Sequence, residues 1–147
     1  MVISREIAAS RLRRLEQSVK RLTQLAEMPL GKYLADTDAR VIAERHFQIA
    51  VQCLLDIGNH IVAEQGLGTP DDARGILDCL DRADVISTDL HERTRGLAGF
   101  RNVLDHDYLE IDHRTVHEQL QRISDLVELG RVLGDYVDRQ AGDPPQH

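Results

Sequence analysis

The residues best suited to chemistry lie together late in the chain, in the stretch Leu97–Tyr108 (the motif segment). Arg101 could hold a phosphate group through two parallel N–H bonds, and His106 could move a proton near neutral pH. Tyr108 adds a hydroxyl group that could be used or modified. A polar residue, Asn102, directly follows the arginine. These residue types indicate an anion site with a proton-transfer group beside it.

Helical periodicity does not bring the two main groups together. On an ideal helix Arg101 lies about 40° from Leu97, at the edge of the apolar stripe, whereas His106 falls on the opposite side and shares a face with Asn102. The arginine and the histidine therefore reach one target only if the helix ends or distorts near Asp105, or if a second copy of the chain completes the site. Spacing alone leaves a simpler interpretation open, in which Arg101 stabilises the carboxyl end of its helix and His106 is a surface turn residue.

The elements that position the motif segment are predicted to be amphipathic helices. Apolar residues recur at alternating steps of four and three from Ser4 onward, and this first helix stops before Pro29 because proline cannot continue the hydrogen-bond ladder. Asp36 offers an N-cap for a second helix, which ends near Gly66. The apolar face of this second helix is wide, so we expect it to be the most buried element.

Two further helix starts follow the second helix. Thr69 is predicted as the N-cap of a short third helix, with Pro70 at the first helical position and Asp72 as the acid three residues after the cap. Ser87 or Thr88 can cap a fourth helix. This fourth helix runs directly into the motif segment.

The last helix completes the predicted architecture. Asp112 caps it, and Gly130 and Gly134 occupy inward positions that would let a neighbouring helix approach closely. Long periodic segments with short connections predict an all-α fold, an antiparallel up-and-down bundle of four to five helices. We expect a single domain over residues 1–140, followed by a disordered polar tail at residues 141–147.

Bulk properties restrict the function further. The net charge of −7 argues against a protein that coats DNA or RNA through a broad basic face, although a local cationic pocket remains possible. Cys53 and Cys79 lie far apart and belong to no Cys-x-x-Cys pair, so we expect two packed, reduced thiols. The sequence contains neither a membrane-spanning run nor a signal-peptide pattern, which predicts a cytoplasmic protein.

A metal site has weak support. Glu110 and His113 have the Glu-x-x-His spacing of di-iron bundles, and His113 and His117 are four residues apart. Di-iron bundles use two such pairs and two further glutamates, and the sequence contains one pair. We therefore expect these residues to face solvent, and we expect no metal.

The remaining candidates are polar or charged positions on the first two helices. Asp56 and His60 are four residues apart on the buried second helix, which favours an internal hydrogen-bonded pair, although both could approach the motif segment as support. Arg11, Arg13 and Arg14 favour a solvated face, with contact to RNA or a partner as the less favoured interpretation. No glycine-rich phosphate loop is present, so we expect no bound cofactor.

The motif segment resembles the signature of the HEPN superfamily, and specifically of its HepT branch. In that branch four residues separate an arginine from a histidine, and a tyrosine follows after one more; Arg101, His106 and Tyr108 match all three positions. Asn102 matches the polar residue that commonly follows the arginine. The likeness covers nearly the whole chain through two further blocks, Leu55–Val62 and Tyr108–Asp112.

This resemblance implies a toxin ribonuclease that needs no metal and acts as a homodimer whose two motifs face one cleft. It also implies an antitoxin of the MNT nucleotidyltransferase type, which attaches AMP to Tyr108. Arg101 would bind the scissile phosphate, His106 would transfer protons, and Asn102 would orient the substrate or the histidine. Asp105 departs from the apolar residue often found there, and its carboxylate would favour the charged form of the adjacent histidine.

A binding protein is the competing class. In that alternative the chain is a catalytically inactive HEPN bundle that serves only as the helical partner of a nucleotidyltransferase. The intact arginine and histidine of the motif favour the enzyme.

Overall fold

The computed structural model describes residues 4–106 and 110–141, and within them every regular element is a helix. The predicted all-α fold is confirmed. The helices are, in chain order, α1 (Arg5–Ala26), α2 (Leu30–Ala35), α3 (Thr37–Gln65), α4 (Ala73–Arg82), α5 (Thr88–Thr94), α6 (Leu97–His106), α7 (His113–Leu120) and α8 (Ile123–Ala141). None of the helices in these ranges is both long and apolar enough to cross a membrane.

Most helix boundaries follow the capping residues read from the sequence. The side chains of Asp36, Ser87 and Asp112 each accept a hydrogen bond from a backbone N–H in the first turn of the helix that follows, as predicted. Ser4 caps α1 in the same way, although it was not predicted as a cap. At the other end of α3, Gly66 has φ 64° and ψ 41°, the left-handed conformation that glycine adopts most readily.

The start of α4 differs from the prediction. Asp72, not Thr69, is the N-cap, and its carboxylate accepts a hydrogen bond of 2.8 Å from the backbone N–H of Gly75. Aspartate is a stronger N-cap than threonine, and Pro70 instead packs against Gly75, where a Cβ atom would lie 3.0 Å from the proline Cβ. The helix therefore begins three residues later than the Thr-Pro pair indicated.

The described residues form eight helices where four to five were predicted, because α2 was not predicted and two of the five predicted helices are interrupted. The fourth divides into α5 and α6 around Gly96, a residue that weakens helices. The fifth divides into α7 and α8 at Gln121 and Arg122, although no glycine or proline marks the break. The Arg122 guanidinium donates to the carbonyl of Arg93 at 3.1 Å, which ties this corner to the end of α5.

Helix α3 forms the centre of the bundle, and the prediction that it is the most buried element is confirmed by its twelve buried residues, more than any other helix has. Helix α8 packs against α1 at Gly130, where a Cβ atom would lie 2.7 Å from Leu15 Cδ2, so the predicted close approach is confirmed. Cys53 and Cys79 are both buried free thiols, as expected.

Helix α6, which carries the candidate residues, is held on α3 by apolar and polar contacts. The rings of Phe47 and Phe100 meet edge to face with centroids 5.1 Å apart. Gln48 of α3 donates a hydrogen bond of 3.0 Å to the carbonyl of Leu104, one of the last carbonyls of α6. These contacts fix the side of α6 that faces α3.

Candidate active site

Arg101 lies at the boundary between α3 and α6 and is only partly exposed. Its Nε donates a hydrogen bond of 3.0 Å to Oε1 of Gln52 and lies 3.5 Å from a carboxylate oxygen of Asp105. The two terminal nitrogens of the guanidinium make no hydrogen bond within the described residues, and these are the nitrogens that form the fork for a phosphate. The alternative in which Arg101 caps the carboxyl end of its helix is wrong, because its side chain crosses to α3.

The position of Arg101 is supported by two further side chains. The Gln52 amide nitrogen donates to Oδ1 of Asp56 at 2.7 Å, and the other oxygen of Asp56 accepts from Nε of Arg11 at 3.4 Å. Because the carboxylate needs a donor, the amide nitrogen of Gln52 must face Asp56 and its oxygen must face Arg101. Asp56 therefore contacts Gln52, and Gln52 contacts Arg101. The sequence analysis did not identify Gln52 as a site residue.

His106 and Asn102 occupy a different side of α6. Both are exposed, and His106 is the last residue of a helix that is regular from Leu97 onward. Five residues of regular helix separate the directions of Arg101 and His106 by about 140°, while Asn102 and His106 lie about 40° apart. The distortion near Asp105 that would unite the arginine and the histidine in one chain does not occur.

Two open grooves meet at Arg101. The first lies between α3 and α6, has a volume of about 320 Å³, and is lined by Arg45, Gln48, Ile49, Gln52, Cys53, Arg101 and Asp105. The second has a volume of about 290 Å³ and runs past Asp56 and Asn59 towards the start of α4. Arg101 and Gln52 line both grooves. A phosphate seated at Arg101 would have space for chain on either side.

Two predicted support residues have other partners. Nε2 of His60 accepts a hydrogen bond of 2.9 Å from the backbone N–H of Ser4, and Asp56 binds Gln52 and Arg11, so the expected Asp56–His60 pair is wrong. The Asp105 carboxylate is paired with Arg101 on the face of α6 that adjoins α3. Tyr108, the predicted modification site, lies outside the described residues.

The residues considered for a metal site are packed against the bundle. His117 Nε2 makes a hydrogen bond of 2.8 Å with the carbonyl of Met28, and its ring lies 5.3 Å from that of Tyr33. His113 Nδ1 lies 3.9 Å from the carboxylate of Glu44. Both histidines are partly buried, so the expectation that they face solvent is wrong. Within residues 4–106 and 110–141, no three His, Cys, Asp or Glu side chains are grouped so that they could hold a metal ion.

Comparison with known proteins finds two sequence relatives that are both described as HepT nucleases. The chain is 31% identical over 67 residues to the mRNA nuclease HepT of Shewanella oneidensis, a match that covers 46% of this chain and 50% of the relative. It is 26% identical over 110 residues to the tRNA nuclease HepT of Aphanizomenon flos-aquae, which covers 75% of each chain. The match thus spans about half the length of the first relative.

The fold also has solved counterparts. A tri-AMPylated Shewanella oneidensis HEPN toxin, solved in complex with MNT antitoxin, superposes with a TM-score of 0.79 at 23% identity, covering 88% of this chain and 97% of that one. YutE, a cytosolic protein of unknown function from Bacillus subtilis, superposes with a TM-score of 0.75 at 16% identity, covering 93% and 95% of the two chains. The family model described as Ribonuclease HepT-like matches residues 15–133. The chain belongs to the Ribonuclease HepT-like family.

Proposed function

We propose that this protein is a metal-independent endoribonuclease, the toxin of a toxin–antitoxin pair that acts in the cytoplasm. Family membership and the two HepT nucleases among its relatives support an RNA-cleaving activity. The observation that carries the proposal is the state of Arg101, which is anchored through Nε to Gln52 and whose terminal nitrogens, at the junction of two grooves, have no hydrogen-bond partner among residues 4–106 and 110–141. A guanidinium held in this way is suited to a phosphodiester.

In the proposed reaction, the RNA supplies its own nucleophile. The ribose 2′-hydroxyl attacks the adjacent phosphorus and the bond from phosphorus to the 5′-oxygen breaks, which leaves a 2′,3′-cyclic phosphate and a 5′-hydroxyl. Arg101 binds the phosphate oxygens and stabilises the negative charge that develops on them. Asn102 orients the substrate or the histidine.

In this proposal His106 carries out the proton transfers. A neutral imidazole takes the proton from the 2′-hydroxyl, and an imidazolium gives a proton to the departing 5′-oxygen. One histidine cannot be in both forms at the same moment. A two-fold homodimer supplies a second His106 and so provides both.

The geometry of α6 favours this homodimer. Arg101 and His106 point in directions about 140° apart, so a single regular helix cannot aim both at one phosphate. The face of α6 that carries Asn102 and His106 is exposed in one chain, and Gly99 and Val103 are exposed on that face as well. A second copy seated on this face by a two-fold axis would bring its own His106 next to His106 of the first chain.

The partner in this proposal is an antitoxin of the MNT nucleotidyltransferase type. The HEPN toxin with which this chain shares its fold is AMPylated and bound to MNT antitoxin. In this chain the modified hydroxyl is that of Tyr108, two residues after His106 in the sequence. We propose that AMP on this hydroxyl blocks the substrate through its bulk and its negative charge, which repels an RNA phosphate.

Cleavage of RNA by purified protein in the presence of a chelator tests the activity. We expect wild type to yield fragments with 2′,3′-cyclic phosphate ends, and we expect His106→Ala to lower kcat by about 10²–10⁴-fold while the helical circular dichroism spectrum is unchanged. Arg101→Ala should lower kcat by about 10²–10³-fold. Cleavage by His106→Ala at the wild-type rate would refute the role of the histidine.

Failure of wild type to cleave RNA, together with stable binding to a nucleotidyltransferase, would favour the alternative of an inactive helical partner. Intact mass after co-expression with that partner tests the modification. We expect one or more added AMP groups on wild type, none on Tyr108→Phe, and no loss on the control Tyr136→Phe, whose tyrosine lies on α8. AMP on Tyr108→Phe would show that another residue is modified.

A further inference from the structure

Three arginines form a cationic surface beside the first groove. Arg14 and Arg21 lie on α1 with buried Ser18 between them, at the spacing of one helix face, and Arg45 lies on α3. These three residues are the arginine track. All three are exposed.

The hydrogen bonds of the track in residues 4–106 and 110–141 go to uncharged groups. Arg14 donates to the Gln17 amide at 3.1 Å and Arg21 to the Gln24 amide at 2.8 Å, and both acceptors are uncharged. Within the described part of the chain, none of the three forms an ion pair. By contrast, Arg93 between α5 and α8 is surrounded by three carboxylates at 2.7–2.9 Å.

The contact between His46 and Ser18 brings the three arginines into one neighbourhood, because Arg14 and Arg21 lie one turn on either side of Ser18 and Arg45 adjoins His46. His46 of α3 lies 3.1 Å from the hydroxyl of Ser18 through its Nδ1. Burial lowers the pKa of His46, and the nearby positive charges of Arg14, Arg21 and Arg45 lower it further. Three like charges around one point are unfavourable without an anion to balance them.

The track is continuous with the site. Arg45 lines the same groove as Arg101 and Gln52, and seven residues of helix separate Arg45 from Gln52, a distance of about 10 Å. The two carboxylates next to Arg101 and Gln52, Asp105 and Asp56, already have arginine partners in Arg101 and Arg11. Phosphates of one strand in a duplex are spaced about 3.4 Å apart along the helix axis and lie further apart in an extended single strand, so this length spans about two phosphates of single-stranded RNA.

We infer that the arginine track binds the sugar-phosphate backbone of single-stranded RNA on one side of the cleaved phosphodiester. This inference rests on the proposed ribonuclease function. It assigns the direction in which the bound RNA strand runs away from Arg101. A chain with a net charge of −7 repels RNA at long range, so uncompensated cations next to the phosphate-binding arginine provide the local attraction. Guanidinium groups are suited to phosphate oxygens because they bind two of them at once.

Binding of a fluorescent 12-nucleotide 2′-O-methyl RNA tests the track, because this RNA lacks the 2′-hydroxyl and is not cleaved. For the variant R14Q/R21Q/R45Q we expect Kd to rise at least tenfold at low salt. Loss of three phosphate contacts should also reduce the slope of log Kd against log salt by about 2. On cleavable RNA the variant should have a raised KM and a kcat within about twofold of wild type.

The chain offers a control of equal charge. R13Q/K20Q/R114Q removes two cations from α1, each one position before a track residue, and a third from α7; all three are exposed. We expect this variant to retain at least half of the wild-type affinity and most of the salt dependence.

Equal RNA affinity for the two triple variants would overturn the inference, as would wild type that fails to bind the RNA. Loss of antitoxin binding with unchanged RNA binding would assign the surface to the protein partner and would also overturn it. Normal RNA binding by the track variant, with cleavage still abolished by His106→Ala, would leave the proposed ribonuclease intact.

Discussion

Arg101 and Gln52 are 49 residues apart in sequence and are joined by a hydrogen bond of 3.0 Å from the arginine Nε to the glutamine Oε1. This bond links α6 to α3 and uses the one guanidinium nitrogen that an end-on phosphate does not need. Because Asp56 holds the opposite end of the Gln52 amide, the glutamine is oriented before any substrate arrives. Arg101 is therefore preorganised by a residue of another helix.

Gln52→Leu removes this preorganisation without changing the size of the side chain greatly. We expect kcat/KM for RNA cleavage to fall by about 10-fold or more, because the freed guanidinium loses its fixed orientation. Steady-state cleavage kinetics measure the effect. Gln65→Leu, on the last residue of α3, is the control and should change kcat/KM by less than twofold. Equal kinetics for Gln52→Leu and wild type would show that the bond does not position Arg101.

The exposed face of α6 is the surface on which the proposed homodimer depends. Val103→Asp places a charge beside Asn102 and His106, so we expect the dimer Kd to rise at least tenfold, equivalent to about 1.4 kcal/mol, and cleavage to fall in parallel. Val41 of α3 is also exposed, and Val41→Asp should leave dimer and activity unchanged. Sedimentation across a concentration series measures both variants. A fully dimeric and active Val103→Asp protein would exclude this face.

Glu44 lies in a partly buried group with Tyr33, Arg40 and His113 at the junction of α2, α3 and α7. Burial raises the pKa of Glu44, although His113 and Arg40 oppose the shift. A carboxyl with a raised pKa stabilises the fold most at low pH, and this contribution is lost as the pH rises through the pKa of the folded state. Glu44→Gln should therefore raise Tm at pH 7, and the gain should disappear well below pH 4.5.

The pKa of Glu128 is shifted in the opposite direction to that of Glu44, so the same Glu→Gln substitution should have the opposite effect on stability. Its hydrogen bond to Arg93 holds its pKa below the usual value, so its contribution is present at neutral pH and is lost as the pH falls through the folded pKa. Glu128→Gln should lower Tm at pH 7. Thermal unfolding of both variants between pH 3 and pH 8 checks the signs, and shifts in the same direction would contradict the assignment of causes.

The close contact between α1 and α8 should make stability sensitive to the size of the residue at position 130. Gly130→Val should lower the free energy of unfolding by about 1–3 kcal/mol, because even a Cβ atom would lie 2.7 Å from Leu15 Cδ2. Gly31 has no heavy atom within 4 Å of a built Cβ, so Gly31→Val should change stability by less than about 0.5 kcal/mol. Urea unfolding measures both, and equal values would show that α8 moves to accommodate the added atoms.

Much of the fold could be predicted because its signals are local. Helix caps such as Asp36 and the periodic apolar positions of α3 depend on residues a few positions apart, which a sequence displays directly. The break between α7 and α8 has no such signal, because Arg122 is held there by the carbonyl of Arg93, 29 residues away. The shift of the α4 N-cap to Asp72 depends on how Pro70 packs, which spacing does not show.

The candidate site also combines residues that have a local sequence signal with residues whose partners come from another helix. Residue types and spacing single out Arg101 and His106 as candidates, and the divergence of the two side chains on a regular helix also follows from spacing. Gln52 carried one signal, its position four residues before Asp56 on the buried helix, but its partner Arg101 comes from another helix. The pairing of Asp105 with Arg101 was open to prediction from their spacing of four.

A purified heterodimer of one wild-type and one His106→Ala chain, each with its own affinity tag, tests the central claim most directly. The claim is that two copies of His106 serve one phosphodiester, one as base and one as acid. The account predicts that this heterodimer cleaves RNA at a few per cent of the wild-type dimer rate or less, since it lacks one of the two groups. Half of the wild-type rate would mean that each chain carries a complete site of its own, and would contradict the account.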